Sequence, residues 1–200
     1  MPQSRWVIVF AKAPEPGRVK TRLAARVGGQ AATQIYRRMA ERLWALLLRV
    51  RRIEGHRLAL AFDPPRAGSE MRAWLPDADA YLPQTTGNLG DRISTAASQI
   101  LEQGALAVTL VGTDCPCLSA FHLAQGFEAC GPHPFALGPT EDGGAYAPTL
   151  TLHAHPLIPP LPALPCTRPS PPARLPEQRA PRALAGPPHP PPPTAPPRHS

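Results

Sequence analysis

Three features of the sequence predict an α/β fold with a mostly parallel sheet covered by helices on both faces. Short β-branched runs alternate with longer segments of helical periodicity through the first 150 residues. The first run, Trp6-Val-Ile-Val-Phe-Ala11, is apolar without alternation, the pattern of a strand buried on both faces. The unusual loops all follow strand-like runs. In a parallel sheet such loops leave from one edge, and ligands bind there.

The elements follow in order. After the strand at 6–11, Pro14-Glu-Pro-Gly17 breaks the chain. Residues 19–27 read as a short helix closed by Gly28-Gly29. A longer helix is predicted over about 30–52, its apolar stripe formed by Ala32, Ile35, Tyr36, Met39, Leu43, Leu46, Leu47 and Val50. Arg37, Arg38, Glu41, Arg42, Arg49 and Arg52 fall largely off that stripe, as on a solvated face. Residues 58–62 are a second strand and 69–75 a short helix. Residues 81–83 suit an edge strand, where Pro83 is tolerated. A helix over 89–103 should turn Ile93, Ala97, Ile100 and Leu101 inward. Residues 105–111 form a buried strand, Ser119 caps a helix to about Ala129, and 135–137 is expected to be the last short strand.

Composition divides the chain. Residues 151–200 hold 18 of the 30 prolines and no Lys, Asp, Tyr, Phe or Trp, too little apolar surface to offset the entropy of ordering. The tail carries five Arg and one Glu, hence +4 of the total +7. The remaining +3 on the first 150 residues, with few aromatics, argues against nucleic acid as a partner. The four cysteines form no C-x-x-C pair and no zinc-like set with histidine. No basic stretch followed by a long apolar run opens the chain, and no apolar segment reaches the roughly 18 residues that span a bilayer. A cytoplasmic protein with reduced thiols and no membrane insertion is expected; oligomeric state has no signal.

Four constellations could carry chemistry. In Lys12-Ala-Pro-Glu-Pro-Gly-Arg-Val-Lys-Thr-Arg22, Gly17 lets backbone approach a ligand. A helix starting near Arg18 or Val19 would point N–H groups into the same space. Lys12, Arg18, Lys20 and Arg22 supply cations, and Thr21 a hydroxyl donor, which is what a polyphosphate needs. The spacing is neither a Walker A loop nor G-x-G-x-x-G, and a plain Pro/Gly turn with solvated lysines has the same residues. Gly112-Thr-Asp-Cys-Pro116 places Asp114 at the end of a buried strand, where a carboxylate with Mg²⁺ or Mn²⁺ would bridge to nucleotide phosphates. Glu141-Asp142-Gly143-Gly144 offers Asp142 as a second metal or acceptor ligand, with Gly143 and Gly144 open to substrate contact; Asp-Gly-Gly is also a common hairpin turn. In Leu89-Gly-Asp-Arg92, Asp91 could cap a helix and Arg92 could reach phosphates.

Taken together, these motifs, from Phe10 to Leu23, Leu89 to Arg92, Gly112 to Leu118 and Gly138 to Gly144, resemble the DUF2064 group of bacterial proteins. That group is glycosyltransferase-like and is also called transferase 1, associated with radical-SAM and selenium-related genes. The resemblance spans roughly residues 5–146. It implies a Rossmann-like GT-A fold, a three-layer α/β/α arrangement of the nucleotide-diphospho-sugar transferase superfamily, which also contains nucleotidyltransferases. By motif position it implies Lys20 and Arg22 as phosphate ligands, Asp114 as the catalytic metal carboxylate and Asp142 as a second acidic site.

The chain departs from the family pattern after Gly144, where a Tyr followed by apolar strand residues and some fifty further residues are expected. Residues 1–150 are therefore expected to be a truncated GT-A-like domain whose C-terminal part is missing. Residues 151–200 are expected to be a disordered, frameshifted tail, since C- and G-rich codons read out of frame yield proline, arginine and alanine. A proline-rich recognition arm is the alternative. The function implied is metal-dependent transfer from a nucleotide or nucleotide-sugar donor to an unidentified small-molecule acceptor, in the manner of a glycosyltransferase. A guanylyltransferase-like nucleotidyl transfer from an NTP, or an inactive nucleotide-binding remnant, are the alternatives.

Overall fold

The computed structural model describes residues 4–115 and 118–129, together with the backbone of two later strands at 135–139 and 145–151. The expected tail from residue 152 onward lies outside the described residues, as do Asp142, Gly143 and Gly144. The elements run β1 (Arg5–Lys12), α1 (Thr21–Val27), α2 (Gly29–Glu54), β2 (Arg57–Asp63), α3 (Gly68–Trp74), β3 (Ala80–Pro83), α4 (Leu89–Glu102), β4 (Ala107–Gly112), α5 (Ala120–Ala129), β5 (Phe135–Pro139) and β6 (Ala145–Thr151). A 3₁₀ turn at Pro65–Ala67 leads into α3.

The sheet has the order β3-β2-β1-β4-β6-β5. The first four strands are parallel, with Val7 opposite Leu58 on one side and Thr109 on the other. Successive side chains of a strand point to opposite faces, so each strand feeds two cores. Val7, Val9, Leu58, Leu60, Phe62 and Val111 pack with Leu43, Trp44 and Leu47 of α2, Met71 of α3 and Leu123 and Phe127 of α5. Trp6, Ile8, Ala59, Ala61, Val108 and Leu110 pack with Ile93, Ala96, Ala97, Ile100 and Leu101 of α4. The result is the expected α/β/α layering, with β3 at the predicted edge. Among the described residues no helix is long and apolar enough to cross a membrane.

Three expectations need correction. The helix α1 begins at Thr21, two residues later than periodicity suggested, because Lys20 takes a left-handed conformation (φ 50°, ψ 43°). On α2 the inward face is Ala32, Thr33, Tyr36, Ala40, Leu43, Trp44, Leu47 and Val50, while Ile35 is exposed. A 26-residue helix at 3.6 residues per turn drifts off a stripe read by eye in steps of three and four. Most consequentially, β5 is not the last strand. Residues 145–151, read as the start of the departure, form β6, antiparallel between β4 and β5. Pro148 falls within this strand. It lies where the β5–β6 register shifts, with Ala136 opposite Thr149 but Gly138 opposite Tyr146. That irregularity leaves room for a residue without an N–H.

His56, which follows α2, is buried at 3% exposure, and neither ring nitrogen has a hydrogen-bond partner among the described residues. Burial lowers its pKa to about 4, helped by the Arg51 and Arg5 cations and opposed by Asp79. Its folded pKa is thus below the unfolded value near 6.5. The stability of the neutral form is therefore fully present above pH ~6.5 and is lost as pH falls toward 4. Between those limits the loss should be on the order of 3 kcal/mol. Denaturant midpoints at pH 7.5 and 4.5 check this: the wild type should lose clearly more stability than His56→Leu.

Candidate functional site

The four parallel strands end at one edge, and two of their loops meet there. Lys12 at the end of β1 lies opposite Asp63 of β2, and Phe10 lies opposite Gly112 at the end of β4. From β1 the chain turns at once: Ala13 N–H donates to the Asp63 carbonyl at 2.7 Å, and Arg18 N–H to the Glu15 carbonyl at 3.1 Å. Gly17 is required here by its backbone (φ +80°), since an added Cβ would meet nothing within 4 Å. Lys20 then enters α1 with no side-chain cap on that helix. Its positive φ, rare for a residue with a Cβ, turns the chain so that its side chain crosses toward β4.

There Lys20 Nζ meets Asp114 Oδ1 at 2.8 Å. Lys20 is 24% exposed and Asp114 63%. A pair with one partner mostly in water contributes only about 0–1 kcal/mol to stability. It is therefore readily exchanged for other partners.

Beneath this pair lies Tyr36 of α2. Its hydroxyl accepts from Lys12 N–H at 2.8 Å and donates to the Lys12 carbonyl at 3.0 Å. The buried Thr113 hydroxyl also bonds to it. Burial raises the Tyr36 pKa above its usual value, the bonds from Thr113 and Lys12 pull it back in part, and the Asp114 charge raises it further. Tyr36 thus ties the end of β1 to the end of β4. The sequence placed Tyr36 in the apolar stripe and missed this role. The one available signal was that a buried Tyr hydroxyl needs a partner.

The opposite wall comes from the start of α4. Asn88 and Asp91 form a capping box, each side chain accepting from the other's N–H at 3.0 Å, which gives Asp91 its expected capping role. Gly87 (φ +115°) lies against that box: a Cβ there would sit 2.7 Å from Asp91 Oδ2. Arg92 donates to the Gly87 carbonyl at 3.2 Å and to Gln84 Oε1 at 3.4 Å, and approaches Asp63 at 3.6 Å. Gln84 in turn donates to the Ala61 carbonyl at 2.9 Å. The sequence left Gln84 and Asp63 without roles.

Between these walls is an open cleft of about 1090 Å³. Lys12, Arg18, Lys20, Thr21, Arg22 and Arg92 all line it, as does Asp114; Gly17, in the same loop, does not. The structure therefore brings together all the described cations that the sequence singled out with the strand-end carboxylate. Arg18 is held by Glu15 at 3.0 Å. Asp142, Gly143 and Gly144 lie outside the described residues. Ser119, the expected helix cap, meets His122 Nδ1 at 3.0 Å, which makes that histidine part of a helix start.

No group of three or more metal-ligating side chains occurs among the described residues. A single exposed carboxylate does not make a site for a tightly held ion. It does fit Mg²⁺ or Mn²⁺ carried in with a nucleotide, since Mg²⁺ keeps several waters and takes one or two carboxylates plus phosphate oxygens.

Comparisons with known proteins agree with this fold. The family model DUF2064, an uncharacterized protein conserved in bacteria, matches residues 46–157. That stretch contains Arg92, Asp114 and Asp142 and runs beyond Gly144 through β6; the Lys12–Arg22 loop precedes it. No curated protein matches. Among solved structures, a candidate nucleotide-diphospho-sugar transferase of Desulfovibrio desulfuricans G20 is 27% identical, with a TM-score of 0.66 over 75% of this chain and 64% of that one. The chain thus spans less than two thirds of that protein's length. Two others show the same fold. Rv0371c of Mycobacterium tuberculosis H37Rv is 16% identical (TM-score 0.51, 79% and 76% covered). The 4-diphosphocytidyl-2C-methyl-D-erythritol synthase of Anaerococcus prevotii DSM 20548 is 11% identical (TM-score 0.50, 78% and 74% covered).

Replacing Tyr36 by Phe removes one hydroxyl and leaves the Lys12 N–H and carbonyl without their partner. Equilibrium unfolding should show a loss of about 1–3 kcal/mol, with the overall fold, measured by circular dichroism, unchanged.

Proposed function

The chain belongs to the DUF2064 family, and on that premise we propose that it is a transferase acting on a nucleotide donor with a divalent cation, Mg²⁺ or Mn²⁺, in the manner of a glycosyltransferase using a nucleotide sugar. The observation that carries this is the meeting of Lys20 and Asp114 at 2.8 Å in a cleft large enough for such a donor. The 27% identity to the candidate nucleotide-diphospho-sugar transferase supports the same class.

The roles follow from the chemistry of each side chain. Arg18 and Arg22 can each take two phosphate oxygens, while Lys12 and Lys20 act as point charges. The Thr21 hydroxyl donates one further bond. Asp114 holds the cation, which when bound neutralises charge on the leaving phosphate. Arg92, fixed by Gln84 and Gly87, presents its charge from the far wall. By motif position Asp142 is a second acidic ligand, and Gly143 and Gly144 allow an acceptor close to the backbone. Catalysis is then positioning and charge neutralisation in a preformed cleft. The working domain is the sheet and its helices through β6, in a cytoplasmic protein, with the proline-rich residues after it taking no part.

One observation favours a second reading. Four cations of one loop, with Arg92 opposite, line the cleft. That is more positive charge than a nucleotide sugar requires, and it suits a triphosphate donor with pyrophosphate as leaving group.

A thermal-shift screen of nucleotides and nucleotide sugars, with and without Mg²⁺ or Mn²⁺, tests both. Cation-dependent stabilisation by one donor is expected. Release of nucleoside diphosphate then marks glycosyl transfer, and pyrophosphate marks nucleotidyl transfer. Stabilisation without turnover would mean an inactive remnant, and no stabilisation by any compound would end the proposal. In Asp114→Asn the cation-dependent part of the shift should vanish, and turnover should fall by about 100-fold or more.

A further inference from the structure

Asp114, the one described carboxylate placed to receive a divalent cation, is engaged by the ammonium of Lys20 at 2.8 Å. Lys20 is also one of the four loop cations that line the cleft. A divalent cation on the same carboxylate oxygen would stand within a few ångströms of the ammonium, where like charges repel strongly. We propose that Lys20 is a switch residue: it covers Asp114 until a polyphosphate draws it away, so that the nucleotide's phosphates must engage Lys20 before Asp114 takes the cation.

Three observations support this. Two of the other cations of the cleft have carboxylate partners of their own, Arg18 with Glu15 at 3.0 Å and Arg92 with Asp63 at 3.6 Å. Lys20 is the cation paired with Asp114 among the described residues. The pair is weak enough to exchange, because Asp114 is mostly in water and lysine is a compact charge on a flexible stem. The floor beneath does not need to move: the Tyr36 hydroxyl is bonded to Lys12 and Thr113, so only a side chain has to swing. The consequence is ordered, cooperative binding. A bare divalent cation is disfavoured at Asp114, and a polyphosphate raises its affinity by releasing the carboxylate.

The switch presupposes the nucleotide-and-metal site proposed above, and the test separates the two. Mn²⁺ binding to the full chain is measured by the paramagnetic resonance signal of the free ion, and pyrophosphate binding without metal by calorimetry. Wild type, Lys20→Met and Asp114→Asn are compared, with Lys20→Gln replacing the methionine variant should the latter not fold. Removing the ammonium should tighten Mn²⁺ binding about tenfold and weaken pyrophosphate binding. These opposite signs would not arise from a merely structural lysine or from a simple phosphate ligand. Mn²⁺ affinity that is equal or weaker in Lys20→Met, yet lost in Asp114→Asn, overturns the switch and leaves the site standing. Mn²⁺ that binds no variant, even with nucleotide present, overturns both.

Discussion

The parallel pairing of β1 with β4 is the constraint on which the rest of the molecule depends. Both strands are apolar on both faces, so neither can lie at a solvated edge, and each is covered by helices above and below. Parallel strands side by side finish at the same end. Their following loops are therefore delivered to one place, although Lys20 and Asp114 are far apart in the chain. The ion pair between them is weak and cannot hold the fold. It reports a convergence that the buried strands impose.

The same edge shows how polar groups at strand ends are accommodated. Tyr36 on one face bonds both backbone groups of Lys12. Gln84 on the other reaches the carbonyls of Ala61, at 2.9 Å, and Ala11, at 3.4 Å. Each lets a strand end stop beneath a cleft with its polar backbone groups partnered. The floor of the cleft is thus fixed by short bonds to backbone. The groups suited to a ligand are long cationic side chains, three of which, Arg18, Lys20 and Arg92, are paired with carboxylates. Such a division favours precise placement of a donor together with exchange of its charged contacts.

The far side of the sheet is organised differently. The α4 layer packs Ala96 and Ala97 against Ala59 and Ala61, small residues that let helix and sheet approach closely. The α2 layer uses Leu43, Trp44 and Leu47 against Val, Leu and Phe of the strands. Because the two layers cover opposite faces of the sheet, α2, with Tyr36, and α4, with Arg92, line the cleft from opposite sides.

By itself the sequence determined the order and type of ten elements, from the run at Trp6 to the strand near Phe135, because burial periodicity and turn residues are local properties of a chain. It also determined which residue types could meet a phosphate and a cation, since charge and hydrogen-bonding capacity belong to the side chain. Several things were decided only by the tertiary structure. Whether Lys20 faces Asp114 depends on the left-handed turn at Lys20 and on strand order, and neither leaves a mark in local pattern. Tyr36 reads as an apolar stripe residue until its hydroxyl is seen against Lys12, and Gln84 is silent until it lies between two strand ends. The strand at Ala145–Thr151 was read as part of the departure from the family pattern, and only its pairing with β4 and β5 reveals it. In each case the missing information is a contact between distant residues, and a sequence specifies such contacts only through the packing of the whole sheet.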